Sequence, residues 1–402
     1  MNVVFVGHVD HGKSTLVGRI LNDTNSLSQG MIELIKKTCT EEGKEFEYAF
    51  ILDHMEEERN QGITIDTTQT FFKTQKRDYV IIDAPGHKEF LKNMITGASQ
   101  AEAAILLVDA KEGVKEQTKR HAYLLSFLGI KQLIIAINKI DLAEYNQEVF
   151  EKIKTELLEF LKKLNIFPSH VIPVSAKNGD NVVNRSEKMP WYSELTLLQA
   201  LDEFTTLQQT ENKPLRYSVQ DVYKVHDKRI IVGRVESGSF KKGQEVTFLP
   251  SQKTTTIKSI ECFNETKETA CVGECAGLTT EDHLFIERGE VMTSINQLPL
   301  VVESLKANIF WMSREPLKMN DSVIIKCGTQ TTECNISKIE EKMNSSTLEK
   351  LEDSEELKET EVAKVNLTLK SKMVIEKFNE VPELGRFVII QNGDISAGGI
   401  MI

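Results

Sequence analysis

Nine residues near the start of the chain, Gly7-His8-Val9-Asp10-His11-Gly12-Lys13-Ser14-Thr15, have the types and spacing to hold a polyphosphate. The glycines let backbone N–H groups curl around phosphate oxygens. Lys13 offers a point charge to the β- and γ-phosphates, and Ser14 offers a hydroxyl to Mg²⁺. Taken alone, that loop leaves ATP and GTP both open. Asp83-Ala84-Pro85-Gly86 adds a carboxylate able to reach Mg²⁺ through water and a Gly86 N–H able to sense the γ-phosphate. Asn138-Lys139-Ile140-Asp141 narrows the base. The Asp141 carboxylate can accept two hydrogen bonds from the guanine N1–H and exocyclic amine, which adenine cannot supply there. A backbone N–H of Ser175-Ala176-Lys177 can donate to guanine O6. Thr64, in Gln61-Gly62-Ile63-Thr64-Ile65-Asp66, fits a switch-loop ligand to Mg²⁺.

These elements occur in a consistent order, each at a strand end or switch loop, so GTP and GDP with Mg²⁺ are the expected ligands. A GTPase is the expected activity, with Lys13, Thr64 and His87 as candidate catalytic residues. His87 directly follows Gly86 and can orient the attacking water, since phosphoryl transfer depends mainly on positioning and charge stabilisation. Val9 and Ile63 are apolar neighbours that could control its access, or simply packing residues.

Positioning such a set takes parallel strands whose carboxyl ends meet. Val3–Val6, Tyr79–Ile82, Ala104–Val108, Leu133–Ile137 and Val171–Val174 are continuous apolar runs, as strands buried on both faces require. Amphipathic segments Gln117–Leu128 and Gln147–Leu164 alternate with them, and Thr67–Thr74 reads as an antiparallel edge strand. The pattern predicts a doubly wound α/β domain over residues 1–210, with ligands at the strands' carboxyl ends. Beyond Glu211-Asn212-Lys213-Pro214 come short alternating runs between turns: Ile230–Val235, Gly243–Leu249, Lys258–Phe263, Leu284–Ile286, Val323–Cys327, Glu361–Leu369 and Phe387–Gln391. They predict two β-barrels, over residues 211–298 and 299–402, with Asn296–Val302 as the joint. The acidic stretch Leu348–Glu361 reads as a solvated loop.

A chain of 402 residues is too long for one core. No apolar stretch approaches the roughly 20 residues needed to span a bilayer, and the first apolar run leads straight into the glycine loop. A cytoplasmic protein with no membrane partner is therefore expected. Its six cysteines make no disulfide framework; Cys271-x3-Cys275 with His283 falls short of a four-ligand zinc set. Net charge is −11, and residues 208–402 carry 25 Lys and Arg against 30 Asp and Glu. An acidic balance speaks against a surface built for nucleic acid, which is gripped largely by phosphate neutralisation.

The loop Gly7–Thr15, Asp83–His87 and Gly62-Ile63-Thr64-Ile65 together resemble the translational GTPase superfamily, and the resemblance covers essentially the whole chain. It implies a GTP-binding domain followed by two β-barrels. Two branches fit. Asp109-Ala110-Lys111-Glu112-Gly113-Val114, Gln117-Thr118-Lys119-Arg120-His121, Leu128-Gly129-Ile130-Lys131 and Phe310-Trp311-Met312 look like the GTPase subunit of heterodimeric sulfate adenylyltransferase. The resemblance then implies a catalytic small subunit as partner, making adenosine 5′-phosphosulfate and pyrophosphate from ATP and sulfate. His11, where that subunit usually has aspartate, and Pro382–Phe387 are instead similar to elongation factor 1-alpha, which implies aminoacyl-tRNA as cargo. The base assignment is testable by itself. Asp141→Asn is expected to move nucleotide preference from guanine toward xanthine, and unaltered GTP affinity in a binding titration would remove Asp141 from base recognition.

Overall fold

The computed structural model describes residues 1–27, 29–41, 47–52, 69–83, 101–205, 213–225, 228–262, 265–352 and 355–402. It divides into two compact units: residues 1–207 with 345–347, and residues 208–344 with 348–402.

The first unit is built on six strands: β1 (Asn2–Gly7), β2 (Gln69–Lys73), β3 (Asp78–Asp83), β4 (Ala103–Asp109), β5 (Gln132–Asn138) and β6 (His170–Pro173). Their order across the sheet is β2-β3-β1-β4-β5-β6. All neighbours are parallel except β2, which runs antiparallel along β3 as the edge strand expected from Thr67–Thr74. Every residue of β4 is buried, which is why the run Ala103–Asp109 is apolar almost throughout rather than alternating. β1 lies between β3 and β4, so the chain winds outward both ways from it, and the crevice for a ligand opens at its carboxyl end.

The helices of this unit include α1 (Lys13–Asp23), α2 (Gln29–Glu41), α3 (Glu116–Phe127), α4 (Gln147–Lys163) and α5 (Leu197–Glu203). α4 shows why such segments are helical. Asn146 caps it by accepting from the Glu148 and Val149 amides, Lys162 and Lys163 sit in its last turn, and Phe150, Ile153, Leu157, Phe160 and Leu161 form its buried stripe. α1 differs: no side chain caps its start, and Gly12 leads into it in the left-handed conformation. Among the described residues, no helix is long and apolar enough to cross a membrane.

The second unit is built on two large sheets, with two small two-stranded pairs beside them. In the first, Arg216–Val225, Lys228–Ser237, Cys275–Thr280, Lys253–Cys262, Glu245–Leu249 and Val291–Ser294 pair antiparallel in sequence around a ring that returns to its first member. In the second, Leu300–Trp311, Glu361–Ile375, Gln330–Asn344, Ser322–Cys327, Arg386–Gln391 and Asp394–Met401 form a closed barrel. Ser322–Cys327 alternates exposed and buried at every residue, the two-residue period that fills a barrel interior from one face. Trp311, Ile325, Ile336 and Leu367 fill that interior.

Three expectations need correction. Leu284–Ile286 is irregular rather than a strand, because its carbonyls bond side chains: Arg229 donates to Leu284 O and Lys253 to Phe285 O. The joint between the sheets is also shorter than Asn296–Val302, since Leu300–Val302 already pairs with Met373–Ile375. Within Leu348–Glu361, Glu356–Leu357 forms a short strand against Leu317–Lys318, which the acidic composition concealed.

The two sheets of this unit are joined by an apolar cluster of Leu249 and Val291 with Val374, Val381 and Leu384. Beside it lies a buried ion pair. Arg216 Nε is 2.7 Å from Glu376 Oε1, and Arg216 Nη1 also donates to Thr293 Oγ1 at 2.8 Å and to the Leu215 and Gln297 carbonyls. Truncating one partner leaves the other charge in a dry site. Arg216→Ala should therefore lose about 3–5 kcal/mol in denaturant unfolding, while Arg216→Met combined with Glu376→Met should recover most of it.

Candidate nucleotide site

The end of β1, the loop 8–12 and the start of α1 form the core of the site. Gly7 is the last residue of β1 and packs so closely on β4 that a Cβ there would stand 2.8 Å from the Leu107 carbonyl oxygen. Gly12 has φ +85°, and a Cβ on it would meet Asn138 Nδ2 at 2.4 Å, so both conformation and space demand glycine. The Lys13 ammonium is folded back into the loop, donating to the carbonyls of Gly7 at 2.6 Å and His8 at 3.0 Å. Held there, it stands where the backbone amides of the loop and helix start would present a polyphosphate. Ser14 and Thr15 lie half-buried in the first turn of α1, Val9 is half-buried and Asp10 is exposed with φ +64°.

Charge in this loop is narrowly placed. His11 is fully buried; its Nδ1–H donates to the Leu107 carbonyl at 3.2 Å, and its ring meets that of His8 edge-on at 5.3 Å. Burial lowers its pKa, so the imidazole stays neutral at pH 7 although Glu112 Oε2 lies 3.7 Å from Nε2. His121, on α3, is pushed down to about 3 by burial, with the Lys13 charge acting the same way. Of these groups only Lys13 brings a positive charge to the loop.

Asn138 has a role that motif reading did not assign. It is 1% exposed at the end of β5. Its Nδ2 donates to the His11 carbonyl at 2.9 Å, and its Oδ1 accepts from the Ala176 amide at 3.0 Å. One side chain thus ties the phosphate loop to the loop after β6. Lys139, with φ +59°, sends its ammonium 2.9 Å from Asp109 Oδ2. Burial tends to raise the Asp109 pKa, but Lys139 and the amides of Lys111 and Glu112 outweigh it and hold the carboxylate ionised. Asp109 is therefore a site residue the motifs missed; the available signal was a carboxylate ending an otherwise apolar strand.

Asp141 lies in the 3₁₀ turn Ile140–Ala143, half-buried, and no described residue bonds its carboxylate, which leaves both oxygens for a base. In the loop after β6, the Ser175 amide donates to the Asp180 carbonyl and the Ala176 amide to Asn138. The Lys177 amide is the member of Ser175-Ala176-Lys177 with no acceptor among the described residues, which leaves it available as a donor. Arg19, on α1, braces this loop by donating to the Lys177 carbonyl at 3.3 Å, and a Cβ on Gly179 (φ +82°) would strike its guanidinium. The structure thus brings together residues 7–15, 138–141 and 175–177. Asp83 ends β3, and its side chain lies outside the description; Ile63, Thr64, Gly86 and His87 lie outside the described residues.

Known proteins match along the chain. Residues 1–207 match the elongation factor Tu GTP-binding domain, 228–293 elongation factor Tu domain 2, and 304–402 the GTP-eEF1A C-terminal domain-like family. Elongation factor 1-alpha of Pyrococcus horikoshii is 40% identical over 416 residues, covering 100% of this chain and 97% of that one. Sulfate adenylyltransferase subunit 1 of Aeromonas hydrophila is 37% identical over 402 residues, covering 98% of this chain and 84% of that one. A solved structure of sup35 complexed with GDP is 25% identical with a TM-score of 0.46, covering 100% of this chain and 93% of that one.

Removing the Asn138 amide strands a buried carbonyl and a buried N–H in separate loops. Asn138→Ala should weaken GDP binding about ten- to hundredfold in a fluorescent-nucleotide titration. An affinity within twofold of the parent's would show that the loops hold their spacing without it.

Proposed function

This chain belongs to the translational GTPase family, and from that membership we propose that it is the GTPase subunit of a heterodimeric sulfate adenylyltransferase. Binding and hydrolysis of GTP go with the family. The finer role is supported by Asp109–Val114, Gln117–His121, Leu128–Lys131 and Phe310–Met312, which resemble that subunit, and by its 37% identity over nearly the whole chain. The observation that carries it over the alternative is charge. Residues 208–402 hold 25 basic against 30 acidic side chains, a poor surface for a carrier of tRNA, whose affinity comes largely from phosphates.

On this reading the partner subunit converts ATP and sulfate into adenosine 5′-phosphosulfate and pyrophosphate. The phosphosulfate anhydride is very unfavourable to form, so GTP hydrolysis on this chain drives the step. Loop 8–12 and Lys13 hold the β- and γ-phosphates, and Asp141 with the Lys177 amide reads guanine. Ser14, Thr64 and, through water, Asp83 would hold Mg²⁺, which when bound would supply neutralisation of charge on the phosphates. Thr64 and Gly86 follow the γ-phosphate, and losing it releases the segments that carry them. How far the partner's equilibrium moves is set by the difference in contacts between the GTP and GDP states. His87 orients the attacking water. A cytoplasmic setting, where thiols stay reduced, suits six free cysteines.

A second reading, elongation factor 1-alpha-like delivery of aminoacyl-tRNA, is favoured by 40% identity and by His11 in the phosphate loop. Co-purification from the native source separates the two. An adenylyltransferase-type subunit, with ATP- and sulfate-dependent GTP turnover, supports the first reading, and bound aminoacyl-tRNA replaces it with the second. For the hydrolytic step, His87→Ala should retain GTP affinity and lose about 10²–10⁴-fold in turnover. Unchanged turnover would take His87 out of the mechanism.

A further inference from the structure

Guanine is read by two pieces of backbone far apart in the chain: the turn after β5, carrying Asp141, and the loop after β6, carrying the Lys177 amide. Their inner ends are tied where the strands stop. Asn138 holds Ala176, and the Ile140 amide donates to the Val174 carbonyl at 3.3 Å. Their outer ends are tied through a single phenol.

Tyr145 closes the turn, its amide donating to the Ile140 carbonyl at 2.9 Å. Glu144 and Tyr145 are both left-handed, with φ +53° and +55°. Consecutive non-glycine residues in that region persist only where the surroundings overdetermine them. Here the Trp191 indole N–H donates to the Tyr145 carbonyl at 3.0 Å, and the hydroxyl makes the remaining contacts. It lies 3.0 Å from Asp180 Oδ2, 3.1 Å from Asn178 Nδ2 and 2.9 Å from Lys188 Nζ. A phenol has one proton, so it donates to the Asp180 carboxylate and accepts from the amide and the ammonium. Asn178 and Asp180 belong to the loop that follows Lys177. They are woven into it by the Asn178 amide on Ser175 Oγ, the Ser175 amide on the Asp180 carbonyl, and Ser186 Oγ on Asp180 Oδ1. Lys188 also sits 5.0 Å over the Tyr145 ring and 3.5 Å from Asp180.

None of these groups has a task in reading the base or holding phosphate. We propose that Tyr145 is a positioning residue for guanine specificity: its hydroxyl sets the spacing between the Asp141 carboxylate and the Lys177 amide. A purine is rigid, and hydrogen bonds weaken steeply as distance and angle depart from their optimum. A base gripped from two loops is therefore read only as well as the loops are spaced. The phosphate end is held separately, by residues 7–15. Loosening the phenol cluster falls on base discrimination and leaves the grip on phosphate.

The inference rests on Asp141 reading guanine, and inosine diphosphate, which lacks the exocyclic amine, keeps the two claims apart. Tyr145→Phe keeps the ring and removes only the hydroxyl. Dissociation constants for GDP and inosine diphosphate should then show the GDP preference of the parent cut about tenfold, equivalent to about 1.4 kcal/mol. KM for GTP should rise with kcat nearly unchanged. Asn178→Ala, at an exposed loop residue, should lower the ratio in the same sense and add little when combined with Tyr145→Phe. A ratio unchanged in Tyr145→Phe overturns the proposal. So does an equal loss for both nucleotides, which a purely structural role would give, or full additivity of the two changes. A parent protein that does not distinguish the two nucleotides refutes the Asp141 assignment itself and takes this proposal with it.

Discussion

The nucleotide site depends on one buried carboxamide. Asn138 stands at the end of β5 between two loops, accepting from Ala176 and donating to the His11 carbonyl. In the proposed site, phosphates meet backbone amides of the first loop and the base meets groups near the second. A ligand that must satisfy both ends at once is selected only if the gap between them is fixed. An amide side chain suits that task because it donates and accepts at once and carries no charge that burial would penalise. Gly12 follows from the same contact: the carboxamide passes so close that no Cβ fits.

Electrostatics complete the design. A polyanion site needs positive charge that is present at neutral pH and confined to where the phosphates lie. Burial keeps His11 and His121 neutral, and Lys139 is engaged by Asp109. Lys13 is left as the cation of the loop, held in place by two carbonyls. Asp141, by contrast, has no described partner, which a carboxylate meant to receive donors from a ligand requires. The second unit uses charge differently. Arg216 and Glu376 are buried together where its two large sheets meet, and the guanidinium's partners Glu376, Leu215, Thr293 and Gln297 all belong to that unit. That pairing fixes how the sheets abut, and it leaves the outer surface to set what can dock there.

Much of this was legible in the sequence. The apolar runs marked five of the six strands of the first sheet, Thr67–Thr74 marked the antiparallel edge, and two amphipathic segments marked α3 and α4 to within a residue or two. The phosphate loop was readable because its glycines answer local demands of conformation and space. The second unit was less legible: Arg216–Val225, Gln330–Asn344 and Asp394–Met401 are strands without a clear local run, and Leu284–Ile286 has an apolar run without being a strand. Antiparallel barrel strands are short, half polar and closed by distant partners, so a local pattern carries little of their signal.

The sequence by itself determined the chemistry on offer: a glycine loop of phosphate-binding spacing, a carboxylate suited to guanine, and a parallel sheet able to bring their segments to one edge. Those are properties of residue type and near neighbours, and a linear chain displays them. Only the tertiary structure decided which groups remain for a ligand. It committed the Ser175 and Ala176 amides, neutralised His11, engaged Lys139 with Asp109, and gathered Tyr145, Asn178, Asp180 and Lys188 around one hydroxyl. Hydrogen-bond partners are set by proximity in space, and residues dozens of positions apart become neighbours only when the sheet forms.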